Sequence, residues 1–194
     1  MKRTIKIGFD FDGVIMYNPA RLIRPIISQF KKKGLIKRKR LQFFRPKAGI
    51  QTFFWQLLHK SSVFPALGLG KLRKLAKLNN VELYLITGRF AELKDDYDFW
   101  LKKIGAKQIF KATYINDKNE QPHLFKEKMI KKLNLDHFVE DNWDIVEHLK
   151  NNTQARIFWI FNLFDRNKKH EDKHPGLMSV ADALEKIIHN SHKK

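Results

Sequence analysis

Two aspartates separated by one residue follow the first apolar run of the chain. Residues 5–11 lead into Asp10-Phe11-Asp12-Gly13, and alternation along a strand would place both carboxyl groups on the same side. Gly13 would permit an abrupt exit of the backbone from the strand, because glycine adopts conformations that other residues avoid. Paired carboxylates in such a place can provide a nucleophile, a general acid or base, or ligands for a hard cation.

Two later motifs add an anion-binding group and more acids. Thr87-Gly88-Arg89 offers a hydroxyl and backbone amides directly before a helical pattern, which is a favourable place for an oxyanion. Glu140-Asp141-Asn142 adds two carboxyl groups after another apolar run. Three or four acids at one edge of a sheet are electrostatically costly without a cation. Because the chain has no Cys and no obvious His ligand beside them, these oxygen ligands indicate Mg²⁺.

Five short apolar runs alternate with amphipathic helical patterns, and these elements must position the polar motifs. The runs rich in β-branched or aromatic residues are 5–11, 81–87, 108–115, 137–140 and 156–161. Repeated βα units predict an α/β fold with a doubly wound, mostly parallel sheet, whose ligands bind outside the carboxyl ends of the strands. A last helix is predicted from Ser179, as its cap, to about His189.

The interval between the first two strands is too long for one βα unit. About 70 residues separate Phe11 from Val81, whereas such a unit needs about 30. The surplus contains its own helical patterns, which predict a small helical cap inserted after the first strand. The domain prediction is a catalytic core of residues 1–16 and 65–194 and a basic cap of residues 17–64, with residues 65–70 as the return hinge.

The formal charge of +19 is concentrated in the predicted cap and just after it. Residues 13–81 contain sixteen basic residues and no Asp or Glu, while the rest of the chain carries 23 basic against 20 acidic residues. This distribution predicts an anionic partner for one region, nucleic acid included, and an ordinary domain elsewhere. A generally basic proteome is the alternative explanation.

The chain shows no sign of secretion or of membrane insertion. Its basic start meets two aspartates too early for a signal peptide. No apolar run approaches the roughly 20 residues that a membrane span needs, and the absence of Cys excludes disulfides. We therefore expect a soluble, cytoplasmic protein with no membrane partner.

The combined motifs resemble those of the haloacid dehalogenase-like superfamily. The four matching segments, in chain order, are Asp10-Phe11-Asp12-Gly13-Val14, Leu85-Ile86-Thr87-Gly88, Lys126 on a helix, and Phe138-Val139-Glu140-Asp141. The resemblance covers residues 1–16 and 66–165, and the insertion lies where that family carries its first type of cap.

The resemblance implies roles for particular residues. Asp10 would be the nucleophile that forms an aspartyl-phosphate, and Asp12 the general acid and base. A second aspartate favours phosphoryl transfer over dehalogenation. Mg²⁺ would be held by the Asp10 carboxylate, the Asp12 carbonyl and Asp141. The phosphoryl oxygens would be bound by the three remaining residues, Thr87, the Gly88 amide and Lys126.

Several roles have alternatives. Lys128 lies half a helical turn from Lys126 and could replace it, although the spacing to the fourth strand favours Lys126. Glu140 stands where many relatives carry Asp, so it could support or share the metal through water. Asp144 is either a substitute acid for that site or an ordinary first-turn acid that suits the helix dipole. Arg89 would contact substrate or, as we prefer, form a structural salt bridge.

The preferred function is hydrolysis of a phosphomonoester, with a nucleotide-like substrate, because the cap and the Glu-Asp motif resemble the 5′-nucleotidase branch. One alternative is a phosphatase acting on DNA or RNA termini, with the basic cap as its binding surface. The other is a non-catalytic nucleic-acid-binding protein that kept the fold. The leaving group and the oligomeric state are left open by the sequence.

Overall fold

The structure, a computed structural model, describes residues 3–18, 41 and 64–191. The strands of the described chain are β1 (Ile5–Phe9), β2 (Met16–Tyr17), β3 (Phe64–Pro65), β4 (Val81–Phe90), β5 (Ala112–Asn116), β6 (His137–Glu140), β7 (Arg156–Ile160) and β8 (Lys173–His174). Six of them form one parallel sheet in the order β5-β4-β1-β6-β7-β8. Because the strands are parallel, the chain crosses over the sheet after each of these strands except the last, β8.

Helices cover both faces of this sheet. They are α1 (Leu69–Leu75), α2 (Lys94–Lys103), α3 (Pro122–Leu133), α4 (Trp143–Asn152) and α5 (Leu177–Ser191). Residues of α1, α2 and α5 share one buried cluster with the sheet, and residues of α3 and α4 share another. The predicted α/β fold with a doubly wound parallel sheet is confirmed. Within the described residues, no helix is long and apolar enough to cross a membrane.

The alternation of side chains along β4 explains why both faces are covered. Leu83 and Leu85 pack into the cluster on one face, and Tyr84 and Ile86 pack into the cluster on the other. All four side chains are almost fully buried. A strand that is apolar on both sides requires helices on both sides, as parallel sheets usually have.

The register of three neighbouring strands brings the polar motifs to one level. Phe9 of β1 lies beside Leu85 of β4 and beside Val139 of β6. The residues that follow these three in sequence therefore run towards the same edge of the sheet. This alignment is what brings the predicted motifs together.

Several element boundaries differ from the sequence predictions. β1 ends at Phe9 rather than residue 11, and β4 continues to Phe90 rather than ending at residue 87, with a register shift against β5. β5 begins at Ala112, because residues 106–108 form a 3₁₀ turn. The last helix begins at Leu177, so Ser179 lies inside it and does not cap it; its hydroxyl lies 2.9 Å from His174 Nδ1.

The long segment after β1 leaves and re-enters the core at one place. Met16 and Tyr17 pair antiparallel with Pro65 and Phe64, and the rings of Tyr17 and Phe64 stack 4.8 Å apart. The two ends of the segment are thus adjacent, as an insertion after β1 requires. The helices predicted within it, over residues 22–30 and 50–58, and the basic cluster of residues 31–47 lie outside the described residues, apart from position 41.

Leu184→Ala on α5 should lower the free energy of unfolding by about 2–5 kcal/mol, because it leaves a cavity in a packed interior. Leu184 is completely buried between α5 and the sheet. Met178→Ala on the same helix is the matched control, since that side chain is 42% exposed, and its effect should stay within about 0.5 kcal/mol. Urea unfolding measures both. Equal losses would contradict the described packing of α5.

Candidate active site

Three buried carboxylates meet at the carboxyl edge of the central strands. Asp10, Glu140 and Asp141 each place a carboxylate oxygen within 4.8 Å of the others. Their residues are between 0% and 4% exposed. The backbone extends the sheet to this point, because the Asp10 amide donates a 2.9 Å hydrogen bond to the Val139 carbonyl. The site is therefore built on strand ends rather than on a long loop.

Gly13 allows this close approach. Its φ of +82° lies in the left-handed region, and a Cβ atom at this position would stand 2.2 Å from Asp141 Oδ2. A side chain would therefore be disfavoured both by backbone conformation and by contact with a carboxylate. The Gly13 amide donates to the Met16 carbonyl at 2.7 Å, which closes the turn after the aspartates.

Lys126 supplies the positive charge of this cluster. It projects from α3, is 2% exposed, and its Nζ lies 2.9 Å from Asp10 Oδ1 and 2.6 Å from Glu140 Oε2. Lys128 lies on the outer side of the same helix, where it pairs with Glu120 at 2.8 Å. Of the two lysines that the sequence left open, the structure brings Lys126 into the cluster.

The acids around Asp10 alter its proton affinity. Burial raises the pKa of Asp10 well above its usual range, and Glu140, Asp141 and Asp12 raise it further, against the opposing attraction of Lys126. Burial also raises the pKa of Glu140, with Asp141 adding to the effect and Lys126 opposing it. The pKa of Lys126 is itself raised by Asp10 and Glu140, although its burial has the opposite effect. The cluster thus contains three carboxylates and one lysine, which contacts two of them, and this surplus of negative charge favours binding of a cation.

Glu140 has several hydrogen-bond donors of its own. Besides Lys126, its Oε1 accepts the backbone amides of Asp141 at 3.2 Å and Asn142 at 3.0 Å. Asn142 in turn caps α4 by accepting the Asp144 amide at 3.1 Å. Asp144 lies in the first turn of α4, and it does not belong to the group of close carboxylates found among the described residues.

Thr87 and Gly88 lie at the end of β4 on the same edge. Thr87 is 1% exposed, and its hydroxyl oxygen accepts the Arg89 amide at 3.2 Å. A Cβ atom on Gly88 would come within 2.7 Å of the Pro122 side chain at the start of α3. The missing side chain lets the end of β4 approach the helix that carries Lys126.

Asp12 has a different partner from Asp10. Its Oδ2 and Oδ1 accept hydrogen bonds from Arg89 Nε at 2.7 Å and Nη2 at 2.8 Å. Oδ1 also accepts Asn18 Nδ2 at 3.3 Å. Arg89 Nη1 reaches Asp96 on α2 at 2.5 Å. The preferred sequence interpretation of Arg89, a salt bridge, agrees with these contacts.

Asn18 and Asp96 were not identified from the sequence as parts of the site. Asp96 lies in the first turn of α2, where an acid is explained by the helix dipole alone. Asn18 stands in a segment without a clear pattern. No local signal distinguishes either residue, because each depends on the position of Arg89 in the folded protein.

Asp10→Asn should raise the free energy of unfolding at pH 7 when metal is removed by a chelator. Burial and neighbouring acids raise the pKa of Asp10 in the folded protein, so its carboxylate destabilises the fold above that raised pKa. The effect should vanish as the pH falls to the unfolded value of about 3.9 and the acid becomes neutral in both states.

Urea unfolding of the wild type and the variant between pH 4 and pH 8 measures this difference. Asp98→Asn, at a partly exposed aspartate of α2, is the matched control and should show little gain. A loss of stability on Asp10→Asn at pH 7, or a gain that does not change with pH, would contradict the description of Asp10 as a desolvated acid.

Comparison with known proteins identifies the fold. No protein-family model matches the sequence, and no curated protein matches it either. Solved structures do match. A haloacid dehalogenase-like family protein from Streptococcus pneumoniae has a TM-score of 0.58 and 12% identity, covering 95% of this chain and 100% of its own.

Two further structures contain bound molecules. CbbY from Rhodobacter sphaeroides, solved in complex with phosphate, has a TM-score of 0.58 and 14% identity, covering 90% of this chain and 95% of its own. YfnB from Bacillus subtilis, solved with bound magnesium, has a TM-score of 0.60 and 11% identity, covering 94% of this chain and 99% of its own. At these identities the likeness concerns the fold, and the chain has the fold of the haloacid dehalogenase-like hydrolases.

Proposed function

We propose that this protein is a magnesium-dependent phosphomonoester hydrolase in which Asp10 forms an aspartyl-phosphate intermediate. The observation that carries this proposal is the buried cluster of Asp10, Glu140 and Asp141 around Lys126 at the carboxyl edge of the sheet. A protein that only bound nucleic acid would gain nothing from burying three carboxylates, since each loses hydration. A nucleophilic and cation-binding site explains that cost.

The chemistry divides between the two aspartates. Asp10 Oδ attacks phosphorus as the bond to the leaving oxygen breaks, and Asp12 gives that oxygen a proton. A water molecule then attacks the phosphorus of the aspartyl-phosphate, Asp12 accepts the proton of that water, and Asp10 is released with inorganic phosphate. Their separate partners, Lys126 for Asp10 and Arg89 for Asp12, support two separate roles.

Three groups are proposed to bind the phosphoryl oxygens. Lys126 stands beside Asp10, and the Thr87 hydroxyl lies on the adjacent strand end. Because its oxygen accepts the Arg89 amide, Thr87 can direct its proton towards an anion. The Gly88 amide completes the proposed set, which would stabilise negative charge on the transferring group without reorganising.

The residues present fit a Mg²⁺ ion. Hard carboxylate oxygens are the donors that Mg²⁺ prefers, and the surplus of negative charge over Lys126 calls for a cation. The Asp10 carboxylate, the Asp12 carbonyl and the Asp141 carboxylate would hold it, with Glu140 supporting Lys126 and the Asp141 backbone. When bound, Mg²⁺ neutralises charge between the nucleophile and the phosphate.

A nucleotide-like substrate remains our preferred assignment. It rests on the sequence resemblance to the 5′-nucleotidase branch and on the basic, acid-free residues 13–81. CbbY has also been solved with xylulose-1,5-bisphosphate, so a small phosphorylated sugar is a related candidate. The location in the cytoplasm and the helical cap of residues 17–64 likewise remain parts of this proposal.

The charge of residues 13–81 favours one second candidate, a phosphatase that acts on DNA or RNA termini. Sixteen basic residues without an acid could contact several phosphates of one strand. The proposed catalytic chemistry would be the same, and only the number of phosphates contacted outside the site would differ.

Asp10→Asn should abolish phosphatase activity on a panel of nucleotides and sugar phosphates, because an amide is a poor nucleophile and a poor metal ligand. Wild-type activity should require added Mg²⁺, disappear with chelator, and be inhibited by beryllium fluoride, which mimics phosphorylated Asp10. Phosphate release measures turnover. Asp98→Asn, at the surface of α2, should keep wild-type activity.

Two results would contradict the proposal. Folded Asp10→Asn protein with more than a few per cent of wild-type turnover would place the nucleophile elsewhere. Full turnover in excess chelator would exclude the role given to Mg²⁺.

Neutral replacement of Lys37, Arg38, Lys39 and Arg40 distinguishes the two substrate classes. With a mononucleotide the Michaelis constant should change modestly and depend weakly on salt. With a polynucleotide end, affinity should fall with salt at a log–log slope of about −0.7 per phosphate contact, and the replacement should flatten that slope by about 2 to 3. We expect the mononucleotide result. An oligonucleotide processed at least about tenfold faster than its mononucleotide, with that advantage lost in the variant, would decide against it.

A further inference from the structure

Arg89 connects two of the groups that the proposed reaction uses. Its side chain forms a two-point hydrogen bond to Asp12, at 2.7 and 2.8 Å. Its backbone amide donates to the hydroxyl oxygen of Thr87 at 3.2 Å. One residue at the end of β4 therefore contacts both the proposed acid and base and a proposed phosphate-binding hydroxyl.

The guanidinium is itself held from three directions. Asp96 on α2 accepts Nη1 at 2.5 Å, Asp12 accepts Nε and Nη2, and the ring of Phe11 lies 4.7 Å from Cζ. Phe11 in turn packs edge-on against Tyr97, the residue after Asp96, at 5.1 Å. The Arg89 side chain is 3% exposed. The planar guanidinium thus has a defined orientation, and its two-point hydrogen bond fixes the orientation of the Asp12 carboxylate.

These contacts argue against direct substrate binding by Arg89. The guanidinium already has two carboxylate partners and its side chain is 3% exposed, so a phosphate could reach it only if the groups packed around it moved. The same contacts suit a holding function. Each carboxylate oxygen has two acceptor lone pairs; the Arg89 fork uses one on each oxygen, and Asn18 Nδ2 is a further donor to Oδ1. The two-point contact with Arg89 therefore fixes the plane of the Asp12 carboxylate.

We propose that Arg89, fixed by Asp96, is the positioning residue that orients Asp12 for proton transfer to the leaving oxygen and from the attacking water. This assignment rests on the proposed phosphatase function. In the first step the P–O bond to the leaving group breaks, the bond from phosphorus to Asp10 forms, and Asp12 provides a proton. In the second step water displaces Asp10 from phosphorus and Asp12 takes up a proton.

The two steps differ in how far they need Asp12. In the first step, the leaving group determines whether a proton from Asp12 is required. A nitrophenolate leaves without a proton, so formation of the aspartyl-phosphate from p-nitrophenyl phosphate should not depend on Asp12. An alkoxide, such as the sugar oxygen of a nucleoside 5′-monophosphate, needs protonation. Hydrolysis of the aspartyl-phosphate needs the base whichever substrate formed it.

Arg89→Lys tests the proposal, because lysine keeps the charge and loses the two-point fork. With p-nitrophenyl phosphate and Mg²⁺, stopped-flow absorbance should show a burst of about one nitrophenolate per protein. The burst rate should lie within about fivefold of the wild-type rate of phosphorylation, and steady turnover should then be about 10²-fold slower than wild type. With a nucleoside 5′-monophosphate, turnover should fall by a similar factor without a burst.

Three further variants make the comparison specific. Asp12→Asn should reproduce the pattern of Arg89→Lys, since the two changes act on the same proton transfers. Asp96→Asn should give the same pattern to a smaller degree, and it serves as a second test if Arg89→Lys does not fold. Lys94→Met is the matched control, because it removes an exposed ion pair with Asp98 on the same helix and should leave both phases unchanged. Thermal unfolding checks that each variant is folded.

The outcomes separate the two proposals. An active wild type whose Arg89→Lys and Asp96→Asn variants lose the burst and the turnover equally would refute the positioning role and leave the phosphatase function standing. A wild-type protein that releases phosphate from no substrate of the panel would refute the proposed function, and the positioning role with it.

Discussion

The burial of three carboxylates beside one ammonium group is the constraint that the elements around the active site must accommodate. Asp10, Glu140 and Asp141 approach within 4.8 Å of one another, and Lys126 contacts two of them. Removing these charges from water is expensive, and a single lysine compensates only part of the cost. The elements nearby accommodate this requirement: α3 carries Lys126 to the strand ends, and Gly13 and Gly88 let backbone segments approach where a side chain would collide.

A second group of charges divides the two aspartates of the first motif. Asp10 belongs to the carboxylate cluster, while Asp12 is held by Arg89, which is also bound by Asp96. Two acids separated by one residue thus have different electrostatic surroundings. Such a difference is the physical basis on which one carboxylate can act as nucleophile and its neighbour as acid and base. The adjacent strand β4 makes the division possible, because it places Arg89 beside the turn after β1.

The likeness to known structures concerns the fold rather than the sequence. Structures with 11% to 14% identity cover nearly the whole chain at TM-scores near 0.6, which shows that the layered architecture tolerates almost complete replacement of its sequence. Chemistry in such folds is decided by a few residues at the strand ends. Substrate choice is a separate property, which the proposed function assigns to the basic residues 13–81.

The sequence by itself determined the fold class, the succession of the main strands along the chain, the strand-end motifs and the insertion after β1, because hydrophobic period and strand-end residues are local properties of the chain. Spacing to β6, a sequence distance, also favoured Lys126 over Lys128, and the structure places Lys126 beside Asp10. Only the tertiary structure decided which of these side chains contact one another. The contact of Arg89 with Asp12 depends on the adjacency of β4 and β1 in the sheet. The contacts of Asp96 with Arg89 and of Lys126 with Glu140 depend on how the helices α2 and α3 pack on the sheet. These contacts join residues that lie 7 to 77 positions apart, and no local pattern records such a distance.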